Sequence, residues 1–342
     1  MLLMGLSDLL TLNWFLILGT FSRVLSGVGT AFVYTVCKHY TAYAYIASDY
    51  PSQINEVISM NEICTGLGFI LGPFIGAGFY WFAGYQGLFY GLAGIFMLGS
   101  ICLRMIFEKD KEYVTLDEGG NSVSAVYFRK EIMLNCVPLA LTMAAVCFAD
   151  TVIAPHLETY GMTSINIALI WGITDLGYPL VSCYFVKYLG KFDLKRLNLV
   201  GIVITMVSYW LFGPWEVLFP PFLPVIFIGL TLIAISAAIH YIVALPLLIQ
   251  VATVDLHLVR DDILIDSLSS LVSTTTSLGE AVGPLLAGFT ADWIGIADAG
   301  GVHGLAVGLF ACAYLAYLLK SARGKGGLSE ELNGDVSSIE LR

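Results

Sequence analysis

The sequence predicts an all-α polytopic membrane protein, and three observations support this fold class. Hydrophobic residues make up 58% of the 342-residue chain and charged residues only 12%, whereas soluble domains are about one-quarter charged. The apolar residues form long continuous runs, and the basic residues gather at one set of their ends. Lipid must therefore solvate much of the apolar surface.

Nine runs are long enough for a helix to cross the hydrocarbon, which takes about 20 apolar residues. The runs are continuous rather than alternating, which disfavours the strands of a membrane β-barrel. Residues 1–7 look like the end of a further helix. The predicted helices lie near residues 13–40, 54–81, 85–107, 132–156, 164–188, 196–213, 222–251, 263–291 and 301–320.

The basic residues predict the orientation in the membrane. Of the 16 lysines and arginines only Arg23 lies deep inside a run, and with nine crossings all the others lie on one face. The positive-inside rule makes that face cytoplasmic. The N-terminus then begins outside or in a lumen, and the C-terminus ends in the cytosol. A vesicle or other endomembrane and the plasma membrane both fit this pattern.

Two polar segments divide the chain. We expect an incomplete N-terminal bundle (1–107), a cytoplasmic linker loop (108–130), a C-terminal six-helix bundle (131–320) and a disordered cytoplasmic tail (321–342). The seven cysteines are scattered singly, without the spacing of a metal site or a disulfide framework. No cofactor is expected, and nucleic-acid binding lacks the basic patch that it requires.

The segments TGLGFILGPFIGAGFYWFAG (65–84) and TSLGEAVGPLLAGFTADWIG (276–295) form an internal repeat. At a constant offset of 211 residues both contain Gly-x-x-x-Gly-Pro in register. A repeat of this length is typical of transporters built from two homologous bundles. Small residues let transmembrane helices approach closely, so the pattern fits a close-packing face, a bent helix that seals between the bundles, or both. The predicted conformational residues are Gly27, Gly29, Gly68, Gly72, Pro73, Gly76, Gly279, Gly283, Pro284 and Gly288.

These motifs resemble those of a known family. RVLSGVGTA, which begins at Arg23, resembles the Arg-x-x-x-Gly-x-Gly signature of the fourth helix of the major facilitator superfamily, and GFILGPFIG resembles the antiporter motif of its fifth helix. More narrowly, CFADTVIAPHLETYGM and SLSSLVSTTTSLGEAVGPLLAGF are similar to segments of vesicular amine transporters, in particular the polyamine-transporting branch. The resemblance implies a two-bundle fold, alternating access and a monomer.

Members of this superfamily have twelve helices. The resemblance therefore implies that this chain is truncated at its N-terminus and lacks about the first three helices, including one that usually lines the transport cavity. Both a fragment and a real short form fit this expectation.

Ionisable side chains at mid-membrane are costly, so each one requires a reason. The substrate and proton-coupling candidates are Arg23, Glu62, Asp150, Asp175 and Glu280. Four acids against one base favour a small organic cation and protons as the transported species. Glu62 and Asp150, which the resemblance matches to acidic positions of the family, are expected to hold either a proton or an amine.

A structural alternative stays open for each candidate. Arg23 fits a structural ion pair as well as the coupling role that the resemblance favours. Glu62 and Asp150 fit residues near helix ends that contact water, and Asp175 and Glu280 fit hydrogen bonds to neighbouring helices.

Three further ionisable residues receive structural interpretations. His240 is expected to be a packed, hydrogen-bonded histidine because it stands alone among apolar residues. His156 and Glu158 are expected to lie in a loop.

The sequence therefore predicts a secondary active transporter that exchanges an organic cation, of polyamine or monoamine type, for protons by alternating access. The alternative is a truncated, non-transporting membrane protein or fragment with a scaffold or regulatory role. A membrane enzyme would need clustered catalytic residues. The nearest candidate, HLVRDD (257–262), has no further histidines around it, so we expect no enzyme.

Overall fold

The computed structural model describes the backbone of residues 1–46, 54–106, 129–259 and 262–339. Within these ranges it describes all side chains except those of residues 34–46, 54–59, 61, 62, 106, 186, 187, 262 and 322–339. The described residues form α-helices joined by turns, which confirms the predicted fold class. The helices are α1 (Leu2–Ser7), α2 (Leu12–Ile46), α3 (Ile54–Ile106), α4 (Lys130–Glu158), α5 (Ser164–Thr174), α6 (Gly177–Tyr188), α7 (Leu194–Phe212), α8 (Leu223–Gln250) and α9 (Asp262–Ile339).

Seven helical segments of the described chain are long and apolar enough to cross a membrane. Two of them, Ile63–Met105 in α3 and Ile263–Ser321 in α9, contain 43 and 59 residues. Straight helices of these lengths would measure about 65 and 90 Å, against about 30 Å of hydrocarbon. Each long segment is interrupted once near its middle and is long enough for two crossings, so the described chain has the length and composition for the nine predicted helices.

Both interruptions fall on glycines in a conformation that other residues rarely adopt. Gly84 has φ 63° and ψ −161°, and Gly295 has φ 82° and ψ 161°. A side chain at positive φ is strained, whereas glycine adopts it freely. The two glycines are separated by the repeat offset of 211 residues. The internal repeat is therefore present in the backbone as well as in the sequence.

The two arms of each interrupted helix lie side by side. In α3, a methyl group placed on Gly91 would lie 2.6 Å from the ring of Phe79, so the arms meet there. In α9, the Thr290 hydroxyl and His303 Nε2 are hydrogen-bonded at 3.1 Å across the break. Each half of the chain therefore ends in an antiparallel helical hairpin.

Among the described residues, the buried hydrophobic clusters lie in the second half of the chain. In the most apolar stretch of α4, 61% of residues are buried, and in that of the segment Leu223–Asp255, which contains α8, 72% are buried. The corresponding fraction is 6% in α2 and in α3. Many of the large apolar side chains that the structure describes in α2 and α3 are exposed instead. The largest fully buried side chains of the second half include Phe148, Tyr178, Phe212 and Tyr314.

A buried polar cluster joins α4, α7 and α8 in the middle of this core. The Thr205 hydroxyl lies 2.7 Å from that of Thr142 and 2.6 Å from that of Ser236. Nδ1 of His240 lies 3.0 Å from the Thr142 hydroxyl. Buried polar groups require such partners, and His240 is the packed, hydrogen-bonded histidine that the sequence predicts.

A second polar cluster joins α4, α7 and α9. The Tyr314 hydroxyl donates to Asn135 Oδ1 at 2.6 Å and accepts from Asn198 Nδ2 at 3.2 Å, and all three residues are buried. The Asn135 amide also donates to the Glu131 carbonyl at 2.6 Å. One hydroxyl thus connects three helices.

The two halves meet where the first arm of α3 packs on α5 and α6. A methyl group on Gly66 would lie 2.8 Å from the Tyr178 ring, and one on Gly172 would lie 2.6 Å from the Phe74 ring. The rings of Phe69 and Tyr178 meet edge to face at 5.4 Å. Close backbone approach and aromatic contact therefore hold this interface.

The predicted domain limits stay predictions. Most of the linker loop, residues 107–128, lies outside the described residues. The backbone of α9 is helical as far as Ile339, through residues expected to form a disordered tail.

Candidate functional site

A cavity of about 530 Å³ lies between the two halves, bounded by α3, α4 and α5. Small-molecule sites usually have volumes of about 300–1,000 Å³. Among the described residues, three acidic side chains and no basic side chain line the space, which we call the acidic cavity. Its lining residues are Gly68, Phe69, Gly72, Pro73, Asp150, Ala154, Glu158, Ser164, Ile167, Ala168, Trp171 and Asp175.

Helix α4 contributes two of the three carboxylates. Asp150 and Glu158 are eight residues apart in one helix, which separates them by about 12 Å along its axis. Both side chains are exposed. The cavity therefore has carboxylates at two positions along the axis of α4.

The third carboxylate stands at a break between helices. Asp175 is the C-cap residue of α5, and its backbone N–H donates to the Trp171 carbonyl at 2.9 Å. Pro179 follows in the first turn of α6, where its missing N–H cannot continue the hydrogen-bond ladder of α5. The break places Asp175 close enough to Asp150 for the two carboxylates to interact electrostatically.

The rest of the lining is apolar, apart from Ser164. Ala154, Ile167, Ala168 and Trp171 provide alkyl and aromatic surface beside the carboxylates. Carboxylates neutralise a positive charge, and the face of an indole attracts a cation. The described residues contain no group of three His, Cys, Asp or Glu residues that could hold a metal ion. The arrangement suits an organic cation.

Three predicted charged residues lie elsewhere or cannot be placed. Arg23 is exposed on α2 and forms no ion pair with the described residues. Glu62 belongs to the backbone of α3, but its side chain lies outside the described residues. Glu280 is exposed on α9 and does not line the acidic cavity, although it and Asp150 both interact electrostatically with Cys147.

The predicted glycines fall into different environments. Gly68, Gly72 and Pro73 line the acidic cavity. Methyl groups on Gly279 and Gly283 would instead run into α4, and Pro284 follows them in α9. A methyl group on Gly76 would lie 3.6 Å from Leu88 in the neighbouring arm. Placed on Gly27, Gly29 or Gly288, it would meet no described atom within 4 Å.

Sequence reasoning missed two residues of the cavity. Glu158, expected in a loop with His156, is the last residue of α4, because that helix continues past Pro155. Its eight-residue spacing from Asp150 was visible in the sequence, but the helix end was placed too early. Trp171 was not singled out, since nothing distinguishes it from the other aromatic residues of the apolar runs.

The sequence profile of the Major Facilitator Superfamily matches residues 1–252, well over half of the chain. The chain belongs to this superfamily. The predicted family membership is thereby confirmed, together with the prediction of a multi-pass membrane protein of a transporter family.

Curated proteins of the superfamily are similar over most of the chain. The human "MFS-type transporter SLC18B1" is 27% identical over 91% of this chain and 67% of its own length. The rat protein of the same name is 24% identical over 83% of this chain and 61% of its own length. An "Uncharacterized MFS-type transporter MJ1560" from Methanocaldococcus jannaschii is 23% identical over 81% of this chain and 68% of its own length. The chain thus spans between about three-fifths and two-thirds of the length of these relatives.

Proposed function

We propose that this chain is a secondary transporter, or part of one, that exchanges an organic cation of polyamine or monoamine type for protons. The cation binds in the acidic cavity, between Asp150 and Asp175. The observation that carries the proposal is this cavity between the two halves, in which the described lining residues include three carboxylates and no basic side chain.

The composition of the cavity supports a cationic cargo. Uncompensated carboxylates inside a membrane are costly, and a bound cation offsets that cost. A protonated carboxylate no longer attracts the cation, so proton binding and cation binding exclude each other at one site. This mutual exclusion is what antiport requires.

The position of the cavity supports alternating access. It lies beside the contact that α3 makes with α5 and α6, where the two halves meet. Rocking of one half against the other about this contact exposes the site first to one side and then to the other. In the proposed orientation the C-terminus is cytoplasmic, and the protein acts as a monomer in a vesicular, other endomembrane or plasma membrane.

Binding to the purified chain in lipid nanodiscs tests the site. We expect radiolabelled spermidine or a labelled monoamine to bind, and Asp150→Asn and Asp175→Asn each to raise the Kd at least tenfold. A hydrogen bond to a charged group contributes about 1.5–3 kcal/mol, and tenfold corresponds to about 1.4 kcal/mol. Asp292→Asn is the matched control, because Asp292 is exposed on α9 away from the cavity. Equal Kd values for the unaltered chain and the three variants would contradict the proposal that the cation binds in the acidic cavity.

Uptake into proteoliposomes with an imposed pH gradient tests the coupling. The proposed antiport predicts accumulation that collapses when the gradient is dissipated. Cation binding without uptake would instead favour the alternative of a non-transporting membrane protein.

A further inference from the structure

The same Gly-x-x-x-Gly-Pro motif has opposite surroundings in the two halves. A methyl group on Gly279 would lie 2.7 Å from Met143 Cβ and would also collide with the Ala140 carbonyl. One on Gly283 would lie 2.5 Å from the Ala144 carbonyl oxygen. Methyl groups on Gly68 and Gly72, their counterparts in the repeat, would meet no described atom within 4 Å.

The open glycines face a site rather than an arbitrary part of the surface. Gly68 and Gly72 are one helical turn apart on α3, and both line the acidic cavity together with Asp150 and Asp175. The helix reaches its contacts with α5 and α6 through other residues, such as Gly66 and Phe74. Among the described residues of the first half, close helix packing therefore does not use these two glycines.

We propose that Gly68 and Gly72 determine substrate size in the acidic cavity. Because neither residue has a side chain, the α3 wall leaves room for the body of a bulky organic cation whose charge is held by the carboxylates. Side chains at these positions would occupy that room. This inference rests on the proposed function, since it assumes that the cavity binds an organic cation.

Two probe cations of equal charge and different bulk test the inference. Tetramethylammonium and tetrabutylammonium are each used to displace bound spermidine from the purified chain in nanodiscs. We expect Gly72→Leu to weaken displacement by tetrabutylammonium at least tenfold and to change that by tetramethylammonium less than threefold. Gly68→Leu is expected to act in the same direction.

The chain offers a matched control on the same helix. Gly78 also has no described atom within 4 Å of an added methyl group, but it does not line the cavity. Gly78→Leu should therefore leave both probes unchanged. Equal weakening of both probes by Gly72→Leu, or no weakening of either, would overturn the size-determining role.

A thiol-labelling experiment separates this inference from the proposed function. A cationic methanethiosulfonate should modify Gly68→Cys and Gly72→Cys but not Gly279→Cys or Gly283→Cys, with each modified site located by tandem mass spectrometry. Unlabelled Cys at position 72 in a chain that binds spermidine would show that the glycine face is covered and would overturn the inference alone. Labelled Cys in a chain that binds no cation would overturn the proposed function, and the inference with it.

Discussion

Adding one methyl group at matched positions of the repeat should change stability by different amounts. Gly283→Ala places a Cβ 2.5 Å from the Ala144 carbonyl oxygen and 2.9 Å from Cys147 Cβ. The carbonyl belongs to the backbone of α4 and cannot move without distorting that helix. Overpacking of this kind costs about 1–3 kcal/mol. Gly72→Ala adds the same group to open space and has no such cost.

The comparison isolates the cost of overpacking, because both variants gain the same helix propensity. Replacing glycine with alanine inside a helix stabilises it by about 1 kcal/mol at both positions. Gly72→Ala should therefore be neutral or stabilising by up to about 1 kcal/mol. Gly283→Ala should be less stable than Gly72→Ala by about 1–3 kcal/mol, which is the overpacking cost alone.

Denaturant titration in mixed micelles measures the difference. The free energy of unfolding of each variant is obtained from tryptophan fluorescence, since the chain has six tryptophans. Gly279→Ala, which also meets α4, should behave like Gly283→Ala. If Gly72→Ala and Gly283→Ala change the unfolding free energy equally, within about 0.5 kcal/mol, the two motifs have similar surroundings and the reasoning fails.

Three further predictions concern other parts of the molecule. Tyr314→Phe should lower the unfolding free energy by about 1–3 kcal/mol, because its hydroxyl makes two hydrogen bonds. Hydrogen bonds between membrane helices contribute about 0.6 kcal/mol on average and at most about 1.7 kcal/mol each. Tyr317→Phe is the control: its ring packs on Tyr314 at 6.0 Å, and the change should alter the unfolding free energy by less than about 0.5 kcal/mol. Lys195→Met should lower the unfolding free energy by about 1.5–3 kcal/mol in the same titration, because Lys195 donates a hydrogen bond to the charged Asp255 carboxylate and the two side chains are only 13% and 16% exposed. Arg196→Met, whose side chain is exposed, should lower it by less than about 0.5 kcal/mol. Equal losses would contradict the role of burial. Glu62→Gln should abolish proton-coupled uptake in proteoliposomes, and unchanged uptake would remove Glu62 from the mechanism.

Much of the fold could be predicted because its signals are local. Length and hydropathy identify a membrane helix without knowledge of its partners. The aligned glycines at positions 84 and 295 reflect a backbone conformation that the sequence must encode at that point. The repeat could therefore be predicted from the sequence, and the structure contains it as two helical hairpins, each interrupted at the aligned glycine.

The acidic cavity could be predicted only in part, because it depends on which helices become neighbours. Asp150 and Asp175 were recognised as costly charges inside apolar runs, but that they line one cavity depends on how α4 and α5 pack. Glu158 was assigned to a loop because the apolar run was taken to end near residue 156, two residues before the helix ends in the structure. Glu280 was equally conspicuous in the sequence, yet it lies outside the cavity lining.

The two glycine motifs show why partners are harder to predict than helices. A Gly-x-x-x-Gly-Pro sequence gives a slender helix face, without side chains, in both halves, and this property is the same wherever the helix is placed. What the slender face contacts depends on the neighbouring helix: α4 fills the space beside Gly283, whereas a cavity lies beside Gly72. One motif therefore allows close packing in the second half and leaves open space in the first. The acidic side chains lie beside that open space, so the difference between the halves, rather than their similarity, locates the candidate site.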